Sequence, residues 1–176
     1  MAEFLQPEKV IRYLHAESGM RIADFGSGNG FFTFPLAEIV GSGGRVIALD
    51  IQKESLEYIR RQAKLENLTN IDTIWANLEL PHGSQLDDNS CDGVIIANIL
   101  FQAEDKQALI REAMRVLRPG GRLIILEWDD SDPPPGPPED LRIPKRTVRE
   151  YCEGMGMTLV EELDAGNHHY GFLFKK

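Results

Sequence analysis

Short, almost unbroken apolar runs alternate with amphipathic stretches along the first two thirds of the chain. Such apolar runs, bounded by turn residues, are typical of strands buried on both faces of a parallel sheet. Stretches with apolar residues three and four positions apart are typical of the helices that cover such a sheet. The pattern predicts helices at about 31–40, 53–66 and 104–117, and strands at about 21–25, 46–50, 71–75, 93–97 and 123–126.

The last third of the chain departs from this alternation. Residues 132–138 read Asp-Pro-Pro-Pro-Gly-Pro-Pro, and proline lacks the N–H that a helix interior or central strand needs. A linker to a second domain is one interpretation, but too few residues follow for another core. We therefore predict a stiff loop within 130–144 over the carboxyl edge of the sheet. A helix at 148–155 and a hairpin of strands at 158–163 and 170–174 are expected to close the fold.

Length and charge restrict the class of protein. The 176 residues suit one domain, 1–176, with an α/β fold. The 28 acidic and 19 basic residues give a net charge of −9, which disfavours a surface that binds nucleic-acid phosphates and suits a small-molecule ligand. Cys91 and Cys152 are far apart, which argues against a disulfide framework and favours a reducing, cytoplasmic setting. No apolar run approaches a membrane span. The oligomeric state is left open.

Three alternating glycines, Gly26, Gly28 and Gly30, follow the first predicted strand and precede a helix. Glycine lets the backbone turn sharply and approach a ligand closely. Asp50 ends the second predicted strand twenty residues further on, and a carboxylate at that point suits a ribose diol. The simpler alternatives are a tight turn and an ordinary polar strand end, but the combination favours a nucleoside-cofactor site.

The glycine spacing also bears on which cofactor would bind. A dinucleotide fingerprint reads Gly-x-Gly-x-x-Gly, whereas here the third glycine comes one residue early and Phe31 stands in its place. Asp24 puts a negative charge beside the turn, which disfavours a diphosphate and favours a cationic amine. An NAD-type enzyme is therefore the weaker hypothesis.

The chain resembles the class I S-adenosylmethionine-dependent methyltransferases, and within them the type 11 group similar to the ubiquinone/menaquinone-biosynthesis methyltransferases. Four motifs in order carry the resemblance, at residues 24–30, 48–50, 92–95 and 115–121. The resemblance implies a Rossmann-like, doubly wound α/β fold. Its seven-stranded sheet would be mostly parallel, with an antiparallel strand in the C-terminal hairpin.

The same resemblance implies S-adenosylmethionine as the cofactor and assigns the residues that would bind it. Asp24 would lie near the cofactor's amino group, Asp50 would bind the ribose hydroxyls and Ile51 would pack on adenine. Asn77 stands where the family usually has an aspartate, so either a weaker adenine contact or a solvated loop residue is expected. The implied cofactor-binding set is Asp24, Gly26, Ser27, Gly28, Gly30, Asp50, Ile51, Asn77, Leu78 and Asn98.

The expected reaction is methyl transfer to a small apolar or aromatic acceptor, and it needs mainly positioning. Any catalytic base is unknown, and no motif supports the candidates at the expected pocket, which are Glu127, Asp129, His168, His169 and Tyr170. Adjacent histidines point to opposite faces of a strand, so no metal site is expected. Trp128 is interpreted as a packing aromatic. The N-terminal segment 1–18 is expected to form a lid. A non-catalytic cofactor-binding or interaction module is the alternative function.

Overall fold

Strands and helices alternate through the described part of the computed structural model, which covers residues 6–129, 136–166 and 168–176. The helices are α1 (Pro7–Leu14), α2 (Thr33–Val40), α3 (Lys53–Leu65), α4 (Lys106–Val116) and α5 (Lys145–Gly154). The strands are β1 (Arg21–Phe25), β2 (Arg45–Asp50), β3 (Ile71–Trp75), β4 (Cys91–Ala97), β5 (Leu117–Trp128), β6 (Thr158–Leu163) and β7 (His169–Lys175). Two short 3-10 turns span Leu100–Gln102 and Glu139–Leu141.

The seven strands form one sheet in the order β3-β2-β1-β4-β5-β7-β6. Strands β1 to β5 pair in parallel, and β7 pairs antiparallel to both β5 and β6. The predicted mostly parallel sheet with an antiparallel strand in the C-terminal hairpin is confirmed. The strand order reverses between β1 and β4, and an open α/β sheet forms its ligand crevice at that point, outside the carboxyl ends of the strands.

Several element boundaries differ from the predicted ones by one to three residues, and strand β5 begins six residues early. Helix α4 begins at Lys106 and not at 104, because the side chain of Asp105 accepts the N–H of Ala108 and caps the helix there. Strand β5 begins at Leu117, directly after the helix, whereas 123 was predicted. Leu117 pairs with Cys91, and Arg122 pairs with Gly93. The residues between Leu117 and Arg122 therefore do not pair with β4, and the sequence-based prediction treated them as a turn before the strand.

Apolar layers cover both faces of the sheet, because successive strand residues point to opposite sides. On one face, α1 and α2 pack through Val10, Ile11 and Leu36 against residues such as Ile124. On the other face, α4 and α5 pack against the alternate positions, which include Ala23, Phe25, Val94, Ile96, Leu123, Ile125, Phe172 and Phe174. The sheet is therefore held rigidly, and its carboxyl edge is left free to carry a site.

The predicted lid segment includes α1, whose Leu14 lies against Gly93 near the start of β4. Phe4 and Leu5, on which that prediction also depends, lie outside the described residues, as do positions 130–135 of the predicted proline-rich loop. Gly136, where the chain is described again, lies against the indole of Trp128. Within the described ranges, no helix has both the length and the apolar character to cross a membrane.

Candidate functional site

A cleft of about 1030 Å³ opens at the carboxyl edge of the sheet, beside the point where β1 and β4 diverge. Such a volume lies at the upper end of the range of small-molecule sites. Its walls come from the segments that follow β1, β2, β3 and β4, from the end of β5 and from the start of β7. The cleft therefore collects most of the positions that the sequence placed at strand ends.

The glycine loop after β1 forms the floor of the cleft. Gly26 and Gly28 have positive φ angles of 73° and 49°, in the left-handed region that favours glycine. A Cβ atom at Gly26 would overlap the side chain of Ile99 from the loop after β4. The N–H groups of Gly26 and Ser27 both donate to the carbonyl of Leu49, at 2.8 and 3.0 Å. The loop is thus held between β2 and the β4 loop, with its backbone exposed to the cleft.

Asp50 lies at the end of β2 and joins this loop to α3. Its Oδ2 accepts the N–H of Gly28 and its Oδ1 accepts the N–H of Gln52, both at 2.8 Å. A carboxylate has about four acceptor positions, so two remain beyond these backbone bonds. The carboxylate is therefore oriented before any ligand binds, in the manner needed to accept two hydroxyl donors.

Asp24, at the end of β1, is only 2% exposed although it lines the cleft. The pKa of its carboxyl is raised from 3.8 to about 6, mainly by burial and to a lesser extent by Asp50, while a hydrogen bond from the Thr33 hydroxyl at 2.6 Å opposes the shift. A cation bound next to Asp24 would favour the ionised form. This carboxylate is thus suited to a positively charged group.

The charged side chains that line the described cleft are all acidic: Asp24, Asp50, Glu79 and Glu104, with no lysine or arginine among the described lining residues. A diphosphate would meet repulsion here and would find no cationic partner. A ligand that carries an ammonium and a sulfonium would be attracted. The charge of the cleft therefore supports the cationic cofactor that the early Gly30 and Asp24 suggested.

Three buried polar atoms on described residues that line the cleft make no hydrogen bond. They are Oγ of Ser27, Oδ1 of Asn98 and Nε2 of His169. Asn98 has a left-handed φ of 56°, and its N–H donates to the carbonyl of Leu126 at 2.9 Å. Buried polar atoms in folded proteins nearly always have partners. A hydrogen-bonding ligand in the cleft would supply them.

The structure brings nine of the ten predicted cofactor-binding residues to the cleft. Asn77 and Leu78 follow β3 there, and the side-chain oxygen of Asn77 accepts the N–H of Glu79 at 3.1 Å. Ile51 is exposed at the rim. The tenth residue, Gly30, does not line the cleft: it has a φ of 87° and faces the Phe34 ring, so it serves the turn into α2.

The predicted catalytic candidates separate into two groups. His169 lines the cleft and stacks on Trp128, with ring centroids 4.2 Å apart, and burial lowers its pKa. Trp128, predicted to be a packing aromatic, lines the cleft as well. Glu127 and Tyr170 are buried away from the cleft, where the Tyr170 hydroxyl donates to the carbonyl of Ile143 at 2.8 Å and burial raises its pKa. Asp129 and His168 do not line the cleft either.

Several lining residues escaped the sequence-based prediction. The largest group lies on the loop after β4, where only Asn98 was predicted. A second group directly follows the glycine loop. In both places the sequence offered one signal for these residues, which is that they are adjacent to predicted site residues. The additional residues are Asn29, Phe31, Phe32, Gln52, Ala76, Glu79, Leu80, Ala97, Ile99, Gln102, Ala103, Glu104 and Leu109.

A family model described as "Methyltransferase domain" matches residues 16–167, so the chain belongs to the methyltransferase-domain family. A solved S-adenosylmethionine-dependent methyltransferase from Aquifex aeolicus superimposes with a TM-score of 0.87 at 25% identity, covering 98% of this chain and 90% of that one. The fold is that of the methyltransferase-domain family, as the sequence motifs predicted.

Two named relatives are also methyltransferases. The ubiquinone/menaquinone biosynthesis C-methyltransferase UbiE of Shewanella woodyi is 36% identical over 115 residues, which cover 64% of this chain and 44% of that protein. The demethylmenaquinone methyltransferase of Lactococcus lactis is 34% identical over 120 residues, covering 68% of this chain and 46% of that protein. The matched parts thus amount to less than half the length of these two relatives.

Proposed function

We propose that this protein transfers a methyl group from S-adenosylmethionine to a small apolar or aromatic acceptor. The observation that carries the proposal is the acid-lined cleft, with a glycine loop and an oriented Asp50 at the carboxyl edge of the sheet. Bound there, the cofactor supplies an activated electrophilic methyl group. Asp24 would hold its amino group, Asp50 its ribose and the segment 76–78 its adenine.

The other residues that line the cleft support an apolar or aromatic acceptor. Phe31, Trp128 and His169 line it with aromatic rings, and Ile99 adds an aliphatic side chain. Flat apolar walls suit an aromatic ring, since stacked aromatic pairs gain beyond the burial of their area. The names of the two relatives, which place them in quinone biosynthesis, also support an aromatic acceptor.

The chain contributes positioning and the exclusion of water. Methyl transfer needs the nucleophile in line and about 3 Å from the methyl carbon, which a closed cleft can impose. Of the side chains proposed as bases, His169 lines the described cleft and the other four do not, which supports His169 as the base. It is therefore the first candidate to accept a proton from an acceptor that must lose one.

Isothermal titration with S-adenosylmethionine tests the cofactor site. Binding in the micromolar range is expected for the wild type, and Asp50→Asn is expected to weaken it by at least about tenfold, since a charge-assisted hydrogen bond is lost. Absence of binding at hundreds of micromolar would contradict the proposal. Leu65→Ala, at an exposed position remote from the cleft, serves as the control.

A non-catalytic cofactor-binding module is the second candidate function. It is favoured by the small number of candidate bases that reach the cleft. The two functions differ in turnover. Formation of S-adenosylhomocysteine with any member of a panel of phenols, hydroquinones and aromatic amines would establish the enzyme. Tight binding with no turnover across the panel would favour the module.

Further parts of the proposal concern the surroundings of the site. We propose that 1–176 forms one domain, that the segment 1–18 covers the bound cofactor and that the proline-rich loop 130–144 borders the acceptor. A deletion of residues 2–5 tests the lid, since it spares the buried Val10, Ile11 and Leu14 of α1. Unchanged cofactor affinity in the deletion variant would overturn the proposed lid. The net charge of −9 supports an acceptor other than nucleic acid, and the free thiols Cys91 and Cys152 support a cytoplasmic location.

A further inference from the structure

Glu127 is a carboxylate inside an apolar layer of the protein. Its residue is 0% exposed, and it follows Leu123 and Ile125 on the face of β5 that α4 and α5 cover. Its neighbour across the sheet is Tyr170 on β7. Buried glutamates are rare unless paired, so a carboxylate at such a position suggests a role other than stability.

The carboxylate binds the backbone of the loop that follows β4. Glu127 Oε1 accepts the N–H of Leu100 at 2.6 Å, at the start of the 3-10 turn Leu100–Gln102. Its other oxygen, Oε2, is buried and makes no hydrogen bond. Burial raises the pKa of Glu127 to about 7, against the effect of the amides of Leu100, Trp128, Ile99 and Phe101. Among the described residues, no charged side chain contributes to that shift.

The loop that Glu127 binds, residues 97–103, forms one wall of the cleft. Ala97, Asn98, Ile99, Gln102 and Ala103 all line it. The side chain of Ile99 also occupies the space that a Cβ atom at Gly26 would need. The position of the loop therefore sets both the width of the cleft and the packing of the glycine loop.

We propose that Glu127 is a positioning residue of the cofactor site, which holds the 97–103 loop in its binding conformation from beneath the cleft. This inference rests on the proposed use of S-adenosylmethionine. Glu127 lies outside the cleft and acts through the Leu100 amide. The ionised carboxylate makes the stronger, charge-assisted bond, so protonation loosens the loop.

The experiment compares Glu127→Ala and Glu127→Gln with the wild type. Alanine removes the acceptor, and the dissociation constant for S-adenosylmethionine is expected to rise by about tenfold or more. Glutamine keeps a carbonyl acceptor of the same shape but no charge, so its affinity is expected to lie between that of the alanine variant and that of the wild type. The amide of Leu100 in the ligand-free protein is expected to exchange faster in the alanine variant, a readout that needs no cofactor.

The pH profile distinguishes positioning by a charge from a purely steric role. Above pH 7 the wild type is expected to bind about threefold to tenfold more tightly than Glu127→Gln, and below pH 6 the two converge. Other titratable groups around the site remain in both proteins, so the ratio at each pH cancels their direct contributions. These groups are the cleft residues Asp24, Asp50, Glu79, Glu104 and His169, with Asp129, Cys152 and Tyr170 behind them.

Glu112→Gln is the matched control, since Glu112 is the other buried glutamate among the described residues and also binds a backbone N–H, that of Ser84 at 3.0 Å. Glu112 does not line the cleft, so the Glu112→Gln variant is expected to bind S-adenosylmethionine as tightly as the wild type. Wild-type affinity and Leu100 exchange in both Glu127 variants would overturn the inference, as would a pH-independent ratio. A wild type that binds no cofactor, but whose Leu100 exchange depends on Glu127, would instead overturn the proposed function.

Discussion

Asp24→Asn is expected to stabilise the ligand-free protein at pH 7 while weakening its affinity for S-adenosylmethionine. The carboxyl of Asp24 has a pKa of about 6 in the folded protein, against an ordinary value of 3.8, mainly because it is buried. At 1.36 kcal/mol for each pKa unit, ionisation above pH 6 costs the folded state about 3 kcal/mol. Asparagine avoids that cost and retains an oxygen for the Thr33 hydroxyl.

The sign follows from the raised pKa. Below pH 3.8 Asp24 is protonated in the folded and unfolded protein and carries no penalty. Between pH 3.8 and 6 the folded state retains the proton that the unfolded state loses, so wild-type stability falls as the pH rises. Because the new amide N–H group also needs a partner, the net gain in the variant at pH 7 is expected to be about 1 to 3 kcal/mol.

Urea denaturation at pH 4, 5, 6 and 7 measures the difference. The variant is expected to gain on the wild type as the pH rises, and its cofactor affinity at pH 7 to fall by about tenfold or more. Thr33→Val is the control, because it removes the hydroxyl that favours the ionised form and is expected to destabilise more at pH 7 than at pH 4. A variant less stable than the wild type at pH 7, or a difference that is constant with pH, would refute the reasoning.

Three further predictions concern separate parts of the molecule. Gly26→Ala puts a methyl group against Ile99 at a backbone φ of 73°. It should lower the free energy of unfolding by about 2 kcal/mol and weaken cofactor binding by more than about tenfold. Unchanged urea and calorimetric titrations would refute this. Glu112→Gln should cost about 2 kcal/mol in urea denaturation at pH 7. Although burial opposes it, bonds from Arg115 and Ser84 lower the pKa of Glu112 to about 2, so the difference should shrink as pH falls from 4.5 towards 2. Asn77→Asp should tighten cofactor binding about threefold through a charged acceptor; no change in calorimetry would place Asn77 outside the adenine contact.

The site residues that lie at strand ends could be predicted from the sequence. Gly26, Gly28 and Asp50 each follow an apolar run, and parallel strands bring their carboxyl ends to one edge. The loop after β4 was largely missed, because only its first residue, Asn98, lies at a strand end. Ile99 reaches the site by packing on Gly26, a contact between residues distant in sequence that no local pattern records.

The element order, the mostly parallel sheet and the acidic residues at the strand ends could be predicted from the sequence, since periodicity and glycine spacing are local properties. The side of a strand that faces the cleft depends on the packing of the whole sheet. Trp128 and His169 line it, while their neighbours Glu127 and Tyr170 point into the layer under α4 and α5. Adjacent strand residues must face opposite sides, but the sheet's packing partners decide which side becomes the site. Glu127, a candidate base in the sequence, is thus buried beneath the cleft, where we propose that it positions the 97–103 loop.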